Sequence, residues 1–387
     1  MKITLKSTLR DVYKHPAGRD IIDKLLMQMG KPSWLINNPV SGRASLALIK
    51  RLAGKRTGTG FFDAVIGLLN SEPSTPDAAP VETEPAWWKE AVFYQIYPRS
   101  FTQGGLRGIL SKLDYLRALG IDALWLSPVY DSPNDDNGYD ICDYYNILPE
   151  FGSLNDMDAL ISGLHERGMK LVMDLVVNHT SDEHPWFKAA LSGENSPYRD
   201  FYFFQKSEGR PPNNWKSFFG GSAWNYYKEQ DEWALHLFSK KQMDLNWECP
   251  GLREEICKMV RWWLERGVDG FRLDVINYIS KTVSLPADNC AADEQLILPD
   301  GDSFIGALMG YTGIERYFYG PRLHEYLREL HTRAFEPYNA FSVGETPGIG
   351  IQMGRLLTDK YRKELDLIFS FDHLETPGHK RFDDYRY

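Results

Sequence analysis

The fold is decided by a pattern that occurs three times, in LDYLRALGIDALWLSPV (113–129), LISGLHERGMKLVMDLVV (160–177) and VRWWLERGVDGFRLDVI (260–276). Each copy predicts an amphipathic helix, a glycine that ends the helix, and a short apolar strand. Helices that alternate with buried strands are typical of a parallel sheet with helical crossovers. The third copy follows after twice the spacing, so we expect an inserted subdomain at about 180–245, where the sequence is aromatic and polar.

Three further segments predict strands of the same sheet: AVFYQIYP (91–98), AFSVGE (340–345) and LDLIFSFDH (365–373). The chain therefore has about six predicted strands, and its class is α/β. An eight-stranded (β/α)8 TIM barrel fits if two more strands exist. On periodicity alone, a doubly wound sheet is the alternative.

The N-terminal part differs from the rest in charge and pattern. Residues 1–60 hold twelve Lys and Arg and three Asp, a net charge of +9, whereas the remaining residues carry −18. Short amphipathic helices are predicted here, one with an apolar face formed by Ile21, Ile22, Leu25, Leu26 and Met29. We expect a small basic helical domain over 1–70, a Pro-rich linker over 71–86, and a catalytic barrel over 87–387.

Composition excludes several classes of protein. The chain has 387 residues, 43% hydrophobic and 25% charged, which is ordinary for a globular protein. It contains no apolar run of the ~18 residues that a membrane helix needs and no secretory signal. The four cysteines lack the spacing of metal ligands, so we interpret them as reduced thiols of a cytoplasmic protein. The acidic main body argues against nucleic acid as a partner.

Polar residues follow several predicted strands, at the positions where α/β barrels carry their active sites. These residues are Asp174, His179, Arg272, Asp274 and Glu345. Side chains alternate along a strand, so Arg272 and Asp274 share a face, and a neighbouring guanidinium favours an ionised carboxylate. Two carboxyl groups in different surroundings are the minimum for glycoside cleavage. Any one of these residues alone is more often a cap or a structural group.

Seven motifs taken together are more specific than any single residue. They are VFYQIYPRSF (92–101), SPNDDNGYDI (132–141), DLVVNHTSDEH (174–184), NNWKSFFGGSAW (213–224), DLNWE (244–248), GFRLDVI (270–276) and VGETPG (343–348). From about Trp87 onward the chain resembles glycoside hydrolase family 13, the α-amylase family, and within it the oligo-1,6-glucosidase and α-glucosidase branch. The first 80 residues show no such resemblance.

The resemblance implies a retaining α-glucosidase that needs no cofactor and acts on short oligosaccharides. Asp274 would be the nucleophile and Glu345 the general acid and base. The glucose in the first subsite would be bound by Asp136, Tyr139, His179 and Arg272, with Asp174 in support. Val275 directly follows the nucleophile, and in this branch a valine there accompanies α-1,6 linkages.

Two alternatives stay open. A trehalose-6-phosphate hydrolase would have the same catalytic strands, and a non-catalytic family member could serve in binding or assembly. The oligomeric state is not predicted. The basic N-terminal domain could bind a membrane surface, nucleic acid or a partner, although we favour a helical domain docked on the acidic barrel.

The chain departs from the family pattern in three respects. The family's third carboxylate, in an NHD motif after the seventh strand, has no counterpart before Tyr387, so we expect a truncated chain that is inactive or poorly soluble by itself. The segment SFTQGGLRG (100–108) has no carboxylate where many relatives bind a cation, so we expect no Ca²⁺ or Mg²⁺ there. ETPGHK (375–380) lacks the arginine-rich loop of sucrose isomerases, which favours hydrolysis over isomerisation.

Overall fold

The computed structural model describes residues 2–32, 34–53, 61–71, 85–284, 296–369 and 371. The strands of these residues, numbered along the chain, are β1 (Phe93–Ile96), β2 (Ala123–Leu126), β3 (Tyr130–Asp131), β4 (Asp143–Ile147), β5 (Lys170–Leu175), β6 (His179–Ser181), β7 (Phe204–Gln205), β8 (Trp224–Tyr227), β9 (Glu232–Leu235), β10 (Gln242–Asp244), β11 (Gly270–Leu273), β12 (Phe341–Glu345) and β13 (Leu367–Phe369).

The α-helices of the same residues are α1 (Leu9–Lys14), α2 (Pro16–Gln28), α3 (Trp34–Asn37), α4 (Leu46–Ala53), α5 (Phe61–Ser71), α6 (Trp87–Glu90), α7 (Pro98–Phe101), α8 (Gly105–Leu110), α9 (Leu113–Ala118), α10 (Leu154–Glu166), α11 (Pro185–Leu191), α12 (Pro250–Glu265), α13 (Ser303–Met309), α14 (Leu323–Leu330) and α15 (Ile351–Leu357).

The central sheet is parallel and contains the six predicted strands, in the order β1-β2-β5-β11-β12-β13. The sheet is rolled, because the rings of Phe93 on β1 and Phe341 on β12 lie 5.4 Å apart, centre to centre. Trp125 on β2 and Phe369 on β13 are 6.0 Å apart. In a flat sheet, strands separated by four spacings would be about 19 Å apart. The prediction of a partial (β/α)8 barrel is confirmed, and the doubly wound alternative is wrong.

The three repeated segments form helix–strand pairs as predicted. Helix α10 begins with a capping box, in which Ser153 and Asp156 bond each other's backbone N–H groups. Gly120, Gly168 and Gly267 directly follow the C-caps of α9, α10 and α12, with φ of 89°, 67° and 105°. A side chain would be strained at such angles, so glycine allows each helix to turn back into its strand.

The segment between β5 and α12 forms small antiparallel sheets. Strands β7, β9 and β8 make a three-stranded sheet, and β10 pairs with β6. An inserted subdomain after the third central strand was predicted from the aromatic and polar composition of this region, and the structure confirms it. The pairing of β10 with β6 brings Gln242 and Asp244 to the carboxyl side of the barrel beside His179.

The described N-terminal residues are helical, and α2 packs against α15. Ile22 and Leu26 are buried in the same apolar core as the barrel residues. Met29, the last residue of the predicted apolar face, is the C-cap of α2 and is 44% exposed. The predicted linker lies almost wholly outside the described residues, which resume at Pro85.

Helices able to cross a membrane are absent from the described residues. Cys142, Cys249 and Cys257 are free thiols, and Cys290 lies outside the described part of the chain.

Candidate active site

Arg272 lies at the centre of a buried group of carboxylates at the carboxyl ends of the central strands. Its Nη1 atom donates to Asp274 at 2.7 Å and also to Asp174, and its Nη2 atom donates to Glu345. The strand register explains this grouping, because Arg272 on β11 is paired with Asp174 on the neighbouring β5. Glu345 is the last residue of the next strand, β12. One cation therefore contacts three acidic groups.

Asp174 is fully buried and has three kinds of polar partner. Besides Arg272, its Oδ2 atom accepts from the Trp125 indole at 2.9 Å and from the Tyr139 hydroxyl at 3.4 Å. Burial raises the pKa of Asp174 to about 6, although Arg272 opposes the shift. The same surroundings raise the pKa of Tyr139, first through burial and then through Asp174, so this hydroxyl remains a donor.

Glu345 is the carboxyl group best suited to carry a proton. Burial, followed by repulsion from Asp274, raises the pKa of Glu345 to about 8, and the charge of Arg272 offsets only part of this effect. Arg272 donates to both Asp274 and Glu345, so the two carboxyl groups share one cation. The raised pKa keeps Glu345 largely protonated at neutral pH.

A second group of polar residues lies at the rim of the site. Asn178 Nδ2 donates to Nδ1 of His179 at 3.2 Å, which leaves the Nε2–H of His179 to donate to the Tyr139 carbonyl oxygen at 3.2 Å. Gln242 Nε2 lies 3.1 Å from His179 Nε2 and donates to Asp136 at 2.9 Å. Burial raises the pKa of Asp136. Gln242 therefore binds Asp136 and lies beside the His179 ring.

Aromatic rings form the walls around these polar groups. The Arg272 guanidinium lies 5.3 Å from the Trp125 ring centre, 5.6 Å from that of Tyr139 and 5.8 Å from that of Phe369. Phe238 lies against the His179 imidazole, with 5.2 Å between ring centres. Such walls keep the guanidinium fixed in direction and reduce its contact with water.

Val275 has an unusual backbone for a β-branched residue. Its φ is 36° and its ψ is 41°, in the left-handed region, and its side chain is buried. The chain turns sharply here, directly after Asp274, from β11 into a short 3₁₀ helix. Backbone strain of this kind persists only where the surrounding structure imposes it.

The structure brings most of the predicted site residues into two connected groups. Asp174, Asp274 and Glu345 each contact Arg272. Tyr139 links Asp174 to His179, and its backbone N–H donates to the Asp136 carbonyl at 2.9 Å. Val275 lies next to these residues because it directly follows Asp274 in the chain.

Sequence reasoning missed three residues that shape the site. They are Trp125, which binds Asp174; Gln242, which joins the rim residues; and Asp140, whose buried carboxylate accepts from the backbone N–H groups of Asp135 and Asp136. An available signal for Asp140 was its place within the quoted SPNDDNGYDI motif. Trp125 stands within an apolar strand and Gln242 in a polar segment, so neither could be found by pattern.

Clusters of three or more His, Cys, Asp or Glu side chains able to hold a metal ion do not occur among the described residues. Residues 100–108 form part of α7 and α8 with the turn between them. The cation that contacts the three carboxyl groups of the site is Arg272.

A rolled parallel sheet with acidic residues at its carboxyl edge defines an α/β-barrel protein with a site of the glycosidase kind. Comparison with known families makes this specific. The catalytic domain of α-amylase matches residues 95–385, and the chain belongs to this family.

Relatives of several activities share the matched region. An oligo-1,6-glucosidase of Parageobacillus thermoglucosidasius is 50% identical over 307 residues, which are 77% of this chain and 52% of that protein. A trehalose-6-phosphate hydrolase of Bacillus subtilis is 48% identical over 297 residues, 75% of this chain and 49% of that protein. The chain thus spans about half the length of the curated relatives it matches.

Solved structures agree with the family assignment. The crystal structure of a trehalose-6-phosphate hydrolase from Bacillus licheniformis gives a TM-score of 0.68 at 44% identity, covering 75% of this chain and 50% of that one. An isomaltulose synthase from Protaminobacter rubrum gives a TM-score of 0.66 at 41% identity, again covering 75% and 50%.

Proposed function

We propose that the whole protein is a retaining α-glucosidase that releases glucose from the non-reducing end of short α-glucosides, with a preference for α-1,6 linkages. The observation that carries this proposal is the contact of Arg272 with Asp174, Asp274 and Glu345 at the carboxyl edge of the barrel. The 50% identity to an oligo-1,6-glucosidase supports it.

Asp274 is the proposed nucleophile and Glu345 the proposed acid and base. In the first step the Glu345 carboxyl gives its proton to the glycosidic oxygen while an Asp274 oxygen attacks the anomeric carbon. In the second step the Glu345 carboxylate takes a proton from water, which displaces Asp274 from the sugar. The two carboxyl groups are bonded to the two terminal nitrogens of one guanidinium, which favours the short separation of a retaining enzyme over the wider one of an inverting enzyme.

The remaining polar residues are the proposed sugar-binding groups. Asp136, Tyr139, His179 and Arg272 would bind the hydroxyls of the non-reducing glucose, and Asp174 would fix the direction of Arg272. Gln242 binds Asp136 and lies beside His179, and Phe238 offers an apolar face to the His179 ring. A pocket with polar groups on one side and an aromatic ring on the other suits a sugar.

Val275 is the proposed determinant of linkage. Its side chain is held rigidly by the left-handed turn beside the nucleophile, so it would restrict which leaving sugar fits there. A contact of this size discriminates by about 1–3 kcal/mol, which produces a preference and not absolute exclusion.

Trehalose-6-phosphate hydrolysis is the second candidate activity. It is favoured by relatives from Bacillus subtilis and Escherichia coli that carry this name, at 48% and 43% identity. The described catalytic residues serve either substrate, so the choice depends on whether a phosphate group is recognised outside the first subsite.

The test is release of glucose from isomaltose, maltose and trehalose-6-phosphate by the protein expressed from its complete reading frame. Asp274→Asn is expected to abolish release. Asp231→Asn is the matched control, because Asp231 lies in an exposed turn with φ of 52°, where asparagine is well tolerated. Preference for the phosphorylated sugar would select the second candidate, and no turnover by folded protein would leave the binding or assembly role.

A further inference from the structure

The segment that follows Glu345 is held at several points. Thr346 donates through its backbone N–H to the Phe369 carbonyl at 2.9 Å, and Asn277 donates to the Pro347 carbonyl at 3.3 Å. The chain then turns through Gly348 into α15. These contacts come from the barrel and fix the beginning of the segment.

The end of the same segment is held by the N-terminal helices. The Asp20 carboxylate, on α2, accepts from the backbone N–H of Met353 at 2.6 Å. This donor lies in the first turn of α15, whose own N-cap, Gly350, has no side chain to offer. Asp20 therefore performs from another element what a capping residue performs within a helix.

The two elements approach closely at Gly350. A Cβ atom placed on Gly350 would lie 2.5 Å from Cγ of Asp20. The φ of Gly350 is −78°, an angle that any residue adopts, so the missing side chain serves the approach of α2 and not a special backbone conformation.

A cavity of about 900 Å³ lies between the N-terminal helices and residues 305–321, and Asp20, Gly350 and Met353 are part of its lining. Ile22 and Leu26 join the common apolar core. Opposite net charges of the two regions, +9 for residues 1–60 and −18 for the rest, favour their association.

We propose that Asp20 is a positioning residue for the acid–base group: by capping α15 it immobilises the segment 346–353 and thereby the Glu345 carboxyl at the other end. The basic N-terminal helices are then a structural part of the catalytic unit. The kinetic consequence rests on the function proposed above, whereas the immobilisation itself does not.

Hydrogen exchange of the peptide 346–357 in the whole protein tests the immobilisation without any substrate. Asp20→Ala removes the acceptor, and Gly350→Ala separates α2 from α15 by steric conflict; each is expected to speed exchange about five- to tenfold. Asp20→Asn keeps an acceptor oxygen and is expected to exchange as the wild type does. Gly67→Ala is the matched control for Gly350→Ala, because a Cβ on Gly67 meets nothing within 4 Å.

Kinetics test the positioning. A misplaced acid harms substrates whose leaving group needs a proton, so Asp20→Ala is expected to lower kcat/KM about tenfold more for isomaltose than for a dinitrophenyl α-glucoside. Unchanged exchange in both disruptive variants would overturn the proposal. Faster exchange with an unchanged ratio of the two substrates would reduce the contact to a structural one and overturn the positioning role. If wild type cleaves no α-glucoside, the proposed function fails while the exchange result still decides the immobilisation.

Discussion

Replacing Glu345 by glutamine removes the proton donor and keeps its shape. Burial and Asp274 raise the pKa of Glu345 from 4.5 to about 8. At pH 7 a carboxyl with this pKa is about 90% protonated, whereas one with the ordinary value is only about 0.3% protonated. The protein environment therefore increases the fraction of competent acid about 300-fold at pH 7. We expect kcat/KM of the whole protein for isomaltose to fall with rising pH above about 8, and Glu345→Gln to lower it about 10³-fold.

The assay compares substrates with different leaving groups and uses azide to restore the second step of the reaction in Glu345→Gln. A dinitrophenyl α-glucoside needs no protonation to leave, so its first step survives in Glu345→Gln and the glucosyl-enzyme accumulates. Azide, which needs no base, then replaces water and is expected to give the α-glucosyl azide. The reasoning is refuted if the variant keeps wild-type isomaltose turnover, if the alkaline limb of the wild type lies below pH 6, or if azide yields the β-product.

Further predictions concern the cation, the linkage and a second buried pair. Arg272→Met leaves three buried carboxyls without their cation. The folded-state pKa values of Asp174 and Glu345 are already raised and would rise further, so stability is lost as pH increases. Urea unfolding is therefore expected to show a deficit of about 3–5 kcal/mol at pH 8 and a smaller one at pH 5. Equal deficits at both pH values would contradict this. Val275→Ala is expected to lower the isomaltose-to-maltose ratio of kcat/KM about tenfold, and an unchanged ratio would remove Val275 as a determinant. Lys281 and Asp244 form a fully buried ion pair at 2.9 Å. Lys281→Met is therefore expected to lower the free energy of unfolding in urea by about 3–5 kcal/mol, and the double variant Lys281→Met with Asp244→Asn is expected to lower it by less. Losses that simply add would show that the two residues are not coupled.

The central sheet could be predicted because its signal is local. Each central strand is a short apolar run, and glycine after α9, α10 and α12 marks where a helix gives way to a strand. The curvature of the sheet could not be predicted from such local patterns. It depends on ring contacts such as that of Phe93 with Phe341, which join residues far apart in the sequence.

In the candidate site, too, contacts within one strand could be predicted from the sequence, whereas contacts between distant segments could not. Alternation along β11 predicts that Arg272 and Asp274 share a face, and their side chains are in contact. The pairing of Asp174 with Arg272 requires the register of two strands that are a hundred residues apart, which no local pattern contains. The contact of Asp20 with α15 joins residues separated by 333 positions and has no sequence signal at all.

The division of roles between the carboxyl groups follows from a count of charges. Three carboxyls share one guanidinium in a buried site, so ionising all of them would leave two uncompensated negative charges in a medium of low polarity. Protonation relieves this cost, and the proton stays where the fewest hydrogen-bond donors stabilise the anion. Asp174 accepts from Trp125 and Tyr139 as well as from Arg272, which explains why its pKa rises only to about 6. Glu345 has no such additional donors within the described residues and faces Asp274, so it keeps its proton to about pH 8. The arrangement that holds Asp274 beside a cation thus also keeps Glu345 neutral, so one arginine would prepare both carboxyl groups for the proposed double-displacement reaction.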